Sequence, residues 1–183
     1  MWGFYDVNDG KGYAILGLRN GVGVVEVTDP EAPRMVGSIS SESTSWRDIK
    51  VYQHFNRVST RWDSYAYVTA DSASVGTMII DLRSLPNEIS VAASDNSDIS
   101  AHNVYLSNVD YSLGVALNGV DPFLHIAGSN RNGGAFNTYR LDNPIEPESV
   151  YSNESSSRTN YSHDVSSMVV TDDRKDTQCV AAG

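Results

Sequence analysis

Three short segments put a basic or imidazole side chain directly before a carboxylate or carboxamide: Arg47-Asp48, His102-Asn103 and His163-Asp164. If these groups converge, they offer two imidazoles, two carboxylates and a carboxamide. Neutral imidazole with carboxylate suits a transition metal such as zinc, whereas carboxylates with carbonyl oxygens suit calcium. The candidate metal set is therefore Asp48, His102, Asn103, His163 and Asp164. The same pattern has a plainer use, because a buried polar residue at a fixed repeat position must find a partner and can bind the neighbouring unit. That tether is the preferred expectation, a metal or ligand site stands second, and catalysis third. Arg47 is expected to form an ion pair with a carboxylate of an adjacent unit.

These segments recur at a period of roughly 55 to 60 residues, the range of propeller and solenoid repeats. Each opens a series of short β-branched runs punctuated by Asn-Gly, Asp-Gly and Asp-Pro turns, which are hairpin signals. The first unit holds runs at 2–5, 13–18, 22–27 and 35–39, and the second at 49–52, 65–69, 77–82 and 89–91, with a long polar loop at 53–64. The third holds runs at 104–106, 115–117, 125–128 and 135–141, and a fourth begins with 165–170, a charged turn at 172–176 and Cys179-Val180-Ala181. The breakers Thr28-Asp29-Pro30-Glu31-Ala32-Pro33 and Asp142-Asn143-Pro144-Ile145-Glu146-Pro147 resemble each other. No window keeps apolar residues at helical spacing for ten residues, so almost no helix is expected. Four short strands per unit predict an all-β fold, a β-propeller of four-stranded blades. The blade limits fall at about 1–44, 45–99, 100–160 and 161–183, a single partial propeller of about three blades and the start of a fourth.

Equivalent positions in successive blades lie at one depth. Asp48, Asn103 and Asp164 are thus expected to form one ring, and Arg47, His102 and His163 its neighbour. Closed propellers hold about four to eight blades, and an open stack exposes strand edges. The favoured expectation is a fragment of a longer chain; the other is a homodimer whose halves close one ring.

The chain also resembles a known group. Tyr65-Ala66-Tyr67-Val68 with Met78-Ile79-Ile80-Asp81-Leu82, and Gly23-Val24-Val25-Glu26-Val27-Thr28-Asp29-Pro30, look like the LVIVD-type propeller repeat. The ordered set Trp2-Gly3, Trp46-Arg47-Asp48-Ile49-Lys50-Val51, Ala101-His102-Asn103 and Tyr161-Ser162-His163-Asp164 is similar to the choice-of-anchor B family of secreted or surface-anchored bacterial proteins. The resemblance spans essentially the whole chain. It implies a propeller outside the cytoplasm, whereas the sequence shows neither an N-terminal export signal nor an anchoring segment.

Apolar residues make up 40% and charged residues 20%, a globular composition. No apolar run approaches the length of a membrane-spanning helix. A net charge of −10 argues against a nucleic-acid or anionic-membrane surface, which would repel it, and suits cations. Lone Cys179 reads as a small buried hydrophobe. Asn153 and Asn160 open glycosylation sequons, and the Ser-rich 152–157 reads as an exposed loop.

The other candidates are weaker. His54 is expected at the surface and His125 as a satisfied core histidine. Asp71-Ser72-Ala73-Ser74 and Asn130-Arg131-Asn132-Gly133-Gly134 sit at matching places and read as hairpin turns. Asp9-Gly10 and Asp95-Asn96-Ser97-Asp98 carry oxygen ligands but lack the closing Glu of a calcium loop. No nucleophile elbow, zincin helix, phosphate loop or Cys-x-x-Cys occurs. Ser162-His163-Asp164 is not expected to act as a triad, because neighbours on a strand point apart. Two functions follow as expectations. The first is a non-enzymatic binding or scaffold module of a secreted or cell-surface protein, with a carbohydrate, protein or matrix partner. The alternative is a metal-dependent hydrolase or lactonase-like propeller with a central cation.

Overall fold

The structure, a computed structural model, describes residues 1–152, 161–172 and 175–182, with side chains described to residue 152 and over 161–168. The sequons and most of the Ser-rich run lie outside the described residues, as does the Cys179 side chain.

The first unit folds as β1 (Trp2–Asp6), β2 (Lys11–Leu18), β3 (Gly21–Glu26) and β4 (Arg34–Ser40), an antiparallel meander in that order. Its first turn forms because Asp6 and Asp9 each accept the backbone N–H two residues on, while Gly10 takes a φ of 72°. The second unit repeats the meander as β5 (Ile49–Asn56), β6 (Arg61–Val68), β7 (Thr77–Asp81) and β8 (Ser90–Asp95). After β9 (Asn103–Ser107), the chain makes a small hairpin of β10 (Val109–Asp110) and β11 (Val115–Ala116). That hairpin leaves its own unit and extends the second sheet, β11 running parallel to β5 with Val115 opposite Gln53. The third sheet is completed by β12 (Phe123–Ala127), β13 (Asn137–Arg140) and β14 (Glu148–Ser152), in the order β9-β12-β13-β14. β15 (Ser166–Asp172) and β16 (Lys175–Ala182) pair antiparallel as the last hairpin. The only helical element among the described residues is a 3-10 turn, Arg131–Gly134.

Sheet faces follow strand alternation. Ala66, Val68 and Ile80 face the first sheet's Tyr13, Ile15 and Val24. Tyr65, Tyr67 and Ile79 face the third sheet's Val104, Leu106 and Leu124. The second sheet is thus covered on both sides, which is why its strands read as unbroken apolar runs. A fully buried side chain such as Ile80 contributes on the order of 2 kcal/mol by leaving water. The first strands lie side by side, β1 against β5, β5 against β9 and β9 against β15.

Two sequence expectations are corrected. Residues 53–64 are not a long loop, since β5 and β6 continue in register to Asn56 opposite Arg61. Polarity misled here because Gln53 and Ser64 are fully buried and satisfied by each other and by the backbone. Gln53 donates to Tyr5 O and Leu113 O and accepts from Val7 N, so one side chain joins β1, β5 and the β10–β11 excursion. In the third unit, 115–117 is not the second strand of its sheet, and 148–152 supplies the unforeseen fourth. Exposure of the first four residues of β14 erases the alternation that marks a strand.

Candidate functional site

At the start of the first strand of the second and third units one bond is repeated. The Asp48 carboxylate accepts from Asn103 Nδ2 at 2.8 Å and Val104 N at 3.1 Å, both on the third sheet. Asn103 Oδ1 then accepts Val165 N, one unit further on, at 3.2 Å. Within its own sheet Asp48 also holds Lys50 Nζ at 2.9 Å, and Lys50 lies 4.5 Å over the Trp2 ring. These two of the five candidate ligands therefore have their oxygens engaged in inter-sheet bonds. Asp48→Ala is expected to lower unfolding free energy by about 2 kcal/mol, because it takes the carboxylate from a buried ammonium and the acceptor from the N–H groups of Ile49, Asn103 and Val104. Urea titration checks it, and an Asp48→Asn variant that keeps one acceptor should recover part of the loss.

The preceding residue reaches backward instead. Arg47 donates through Nε to Leu18 O at 3.0 Å and through Nη2 to Glu42 O. Its partners are main-chain carbonyls of the first unit, so the expected ion pair is replaced by neutral acceptors. His102, the equivalent residue, meets Asp71 Oδ2 through Nδ1 at 3.0 Å. Strand register makes Leu18 and Asp71 equivalent positions, each three residues beyond the partner of its sheet's first paired residue. Trp46 stacks on His102 at 5.1 Å and 3°, and its indole N–H donates to His102 O at 3.1 Å.

His163 and Asp164 complete the cluster. Val165, buried and tied to Asn103, sets their loop beside the third sheet. The His163 ring centre is 3.9 Å from that of His102, and His163 Nδ1 lies 2.6 Å from Asp164 Oδ2. The two residues precede β15 rather than lie on it, so their side chains touch, contrary to the strand geometry expected. One donor atom each from His102, His163 and Asp164 falls within 4.8 Å of the others. Tyr161 packs beside Gly128 and Gly134, where a Cβ would collide with its ring. Burial raises its phenol pKa, and the Asp71 and Asp164 carboxylates add to that rise.

The structure thus gathers His102, His163 and Asp164 and separates Asp48 and Asn103 from them. Asp71 and Trp46 complete the surroundings of His102, although by sequence they mark a turn and a repeat. Their partner lies on another sheet, so register alone could have shown them. His125 is a satisfied core residue, bonded to Thr138 Oγ1 and Ser107 Oγ at 2.9 Å each. Asp9 and Asp95 cap turns through Lys11 N and Ser97 N, which accounts for their oxygens without calcium.

Beside the cluster lies an open cavity of about 600 Å³ bounded by Leu18, Arg19, Ser43, Thr44, Ser45, Trp46 and Arg47. No protein-family model matches the chain, and no curated protein or solved structure matches it either. Among the described residues no helix is long and apolar enough to cross a membrane.

Proposed function

We propose that the stacked meanders are blades of a β-propeller and that the chain is a non-enzymatic binding module of a secreted or cell-surface protein of the choice-of-anchor B type. The repeated bond from Asp48 to Val104 N and from Asn103 to Val165 N carries this reading. A side chain that holds the next unit's backbone at a fixed step is how a blade array propagates about an axis, and first strands side by side fit the same array.

The binding face is the end where Trp46, Arg47 and Tyr161 emerge. Trp46 and Tyr161 are 51% and 52% exposed, Trp46 on the wall of the cavity, and large aromatics held half-open are recognition surfaces. Ser43, Thr44, Ser45 and Arg19 supply hydroxyl and guanidinium groups around it. That mixture suits a carbohydrate, whose ring presents an apolar face and a rim of hydroxyls. On a glycan array the protein is expected to retain a defined subset of sugars, and Trp46→Ala to lose them while its unfolding transition stays cooperative. Retention of no sugar, or retention that ignores Trp46, would overturn the carbohydrate assignment.

A further inference from the structure

We propose that His102, His163 and Asp164 form a zinc site at the seam between the second, third and fourth units, with Asp71 orienting His102. The metal donors are not those of the sugar-binding reading, although Trp46 borders both sites.

The central observation is His102 itself. Its residue is only 8% exposed, its Nδ1 is engaged by Asp71, and its Nε2 is buried with no hydrogen-bond partner. A buried polar atom without a partner requires an explanation, since such groups normally find one. With Asp71 accepting the Nδ1 proton, the tautomer leaves a lone pair on Nε2. A carboxylate on one imidazole nitrogen and a metal on the other is the recurrent arrangement around bound zinc. Trp46 stacked on the ring fixes its plane, so the lone pair is pre-oriented rather than recruited.

The other two donors are of the right kind and near enough. Two imidazoles and one carboxylate are the donor set of open zinc centres, which keep a fourth position for water. Calcium requires six to eight oxygens, which this cluster does not offer once Asp48 and Asn103 are engaged elsewhere. Tetrahedral zinc with bonds near ~2.0–2.2 Å needs donors about 3.3 Å apart. One donor atom of each residue lies within 4.8 Å of the others, with His102 fixed and the His163 and Asp164 side chains 64% and 67% exposed. Rotation of the two exposed side chains therefore closes the site without moving a strand. The chain's net charge of −10 favours a cation throughout.

Titration of the metal-free protein with Zn²⁺ at pH 7.5 is expected to show one equivalent bound, with a raised melting temperature that chelator reverses. His163→Ala, an exposed change that leaves the sheets intact, is expected to weaken binding at least 100-fold. Asp71→Asn is expected to weaken it 10- to 100-fold without removing a ligand. Co²⁺ in place of Zn²⁺ should give the intense visible bands of four-coordination in the parent protein alone. Absence of stoichiometric Zn²⁺, or affinity unchanged in both His163→Ala and Asp164→Asn, would overturn the site.

Discussion

Asp98→Ala is expected to lower the unfolding free energy by about 4 kcal/mol, because three buried donors share that carboxylate. Asp98 is 1% exposed and sits in the connection from the second sheet to the third. It accepts from Ser129 Oγ at 2.6 Å, from Asn137 Nδ2 at 2.7 Å and from Tyr139 OH. Arg131 Nη1 in turn donates to the Tyr139 oxygen at 3.2 Å, so the negative charge is distributed through hydrogen bonds rather than one ion pair. Burial and the Asp98 carboxylate together push the Tyr139 phenol pKa well up, so the phenol stays a donor across the physiological range. Removing the carboxylate leaves each donor facing protein. Asp98→Asn keeps one acceptor but turns an amide N–H₂ toward the remaining donors, so it should recover less than half. Urea denaturation at pH 7 measures both. A loss under 1 kcal/mol for Asp98→Ala would mean that water enters and replaces the carboxylate. Because Asp98 stands four residues before His102, the same variant should also weaken Zn²⁺ binding.

What the sequence made legible was set by bonds that residue types can announce. The recurrence of Asp48 and Asn103 marks the inter-sheet tether, because a short acceptor before a β-branched residue is a local pattern, whereas Asp164, at the matching place, meets His163 instead. The all-β fold followed from turns such as Asp9-Gly10, whose capping bonds involve neighbours only. Arg47 departs from its expected ion pair for the opposite reason: its acceptors are backbone carbonyls, and a carbonyl carries no residue identity. Gln53 suggests a loop because burial of an amide depends on partners that no local pattern shows, here on β1, on β6 and in the turn between β10 and β11. The union of His102 with Asp71 and Trp46 depends on the register between two sheets, which no spacing within one segment encodes. The repeat places His163 in the ring of His102 and Asp164 in the neighbouring one. Their mutual contact came from their position in a bend before β15, where strand alternation does not apply.

His125 makes stability depend on pH in a direction that can be worked out. It is 3% exposed, and burial lowers its pKa from the usual 6.5 to about 4. Its two ring nitrogens already serve Thr138 and Ser107, one as donor and one as acceptor, so a second ring proton would face an occupied hydroxyl. Between pH 6.5 and about 4 the unfolded chain therefore binds a proton that the native protein refuses. The His125 contribution is complete above pH 6.5 and is lost as pH falls, by about 3 kcal/mol near pH 4 at 1.36 kcal/mol per pKa unit. Carboxylates titrate over the same range, so the informative quantity is a difference between two proteins. His125→Gln retains one donor and one acceptor toward the same hydroxyls but carries no titrating group. Its unfolding free energy, measured in urea without metal at pH 7, 5.5 and 4.2, is expected to fall less steeply than that of the parent, by about 3 kcal/mol across the series. Parallel slopes would show that His125 protonates in place, with Thr138 or Ser107 turning its oxygen to receive the new proton.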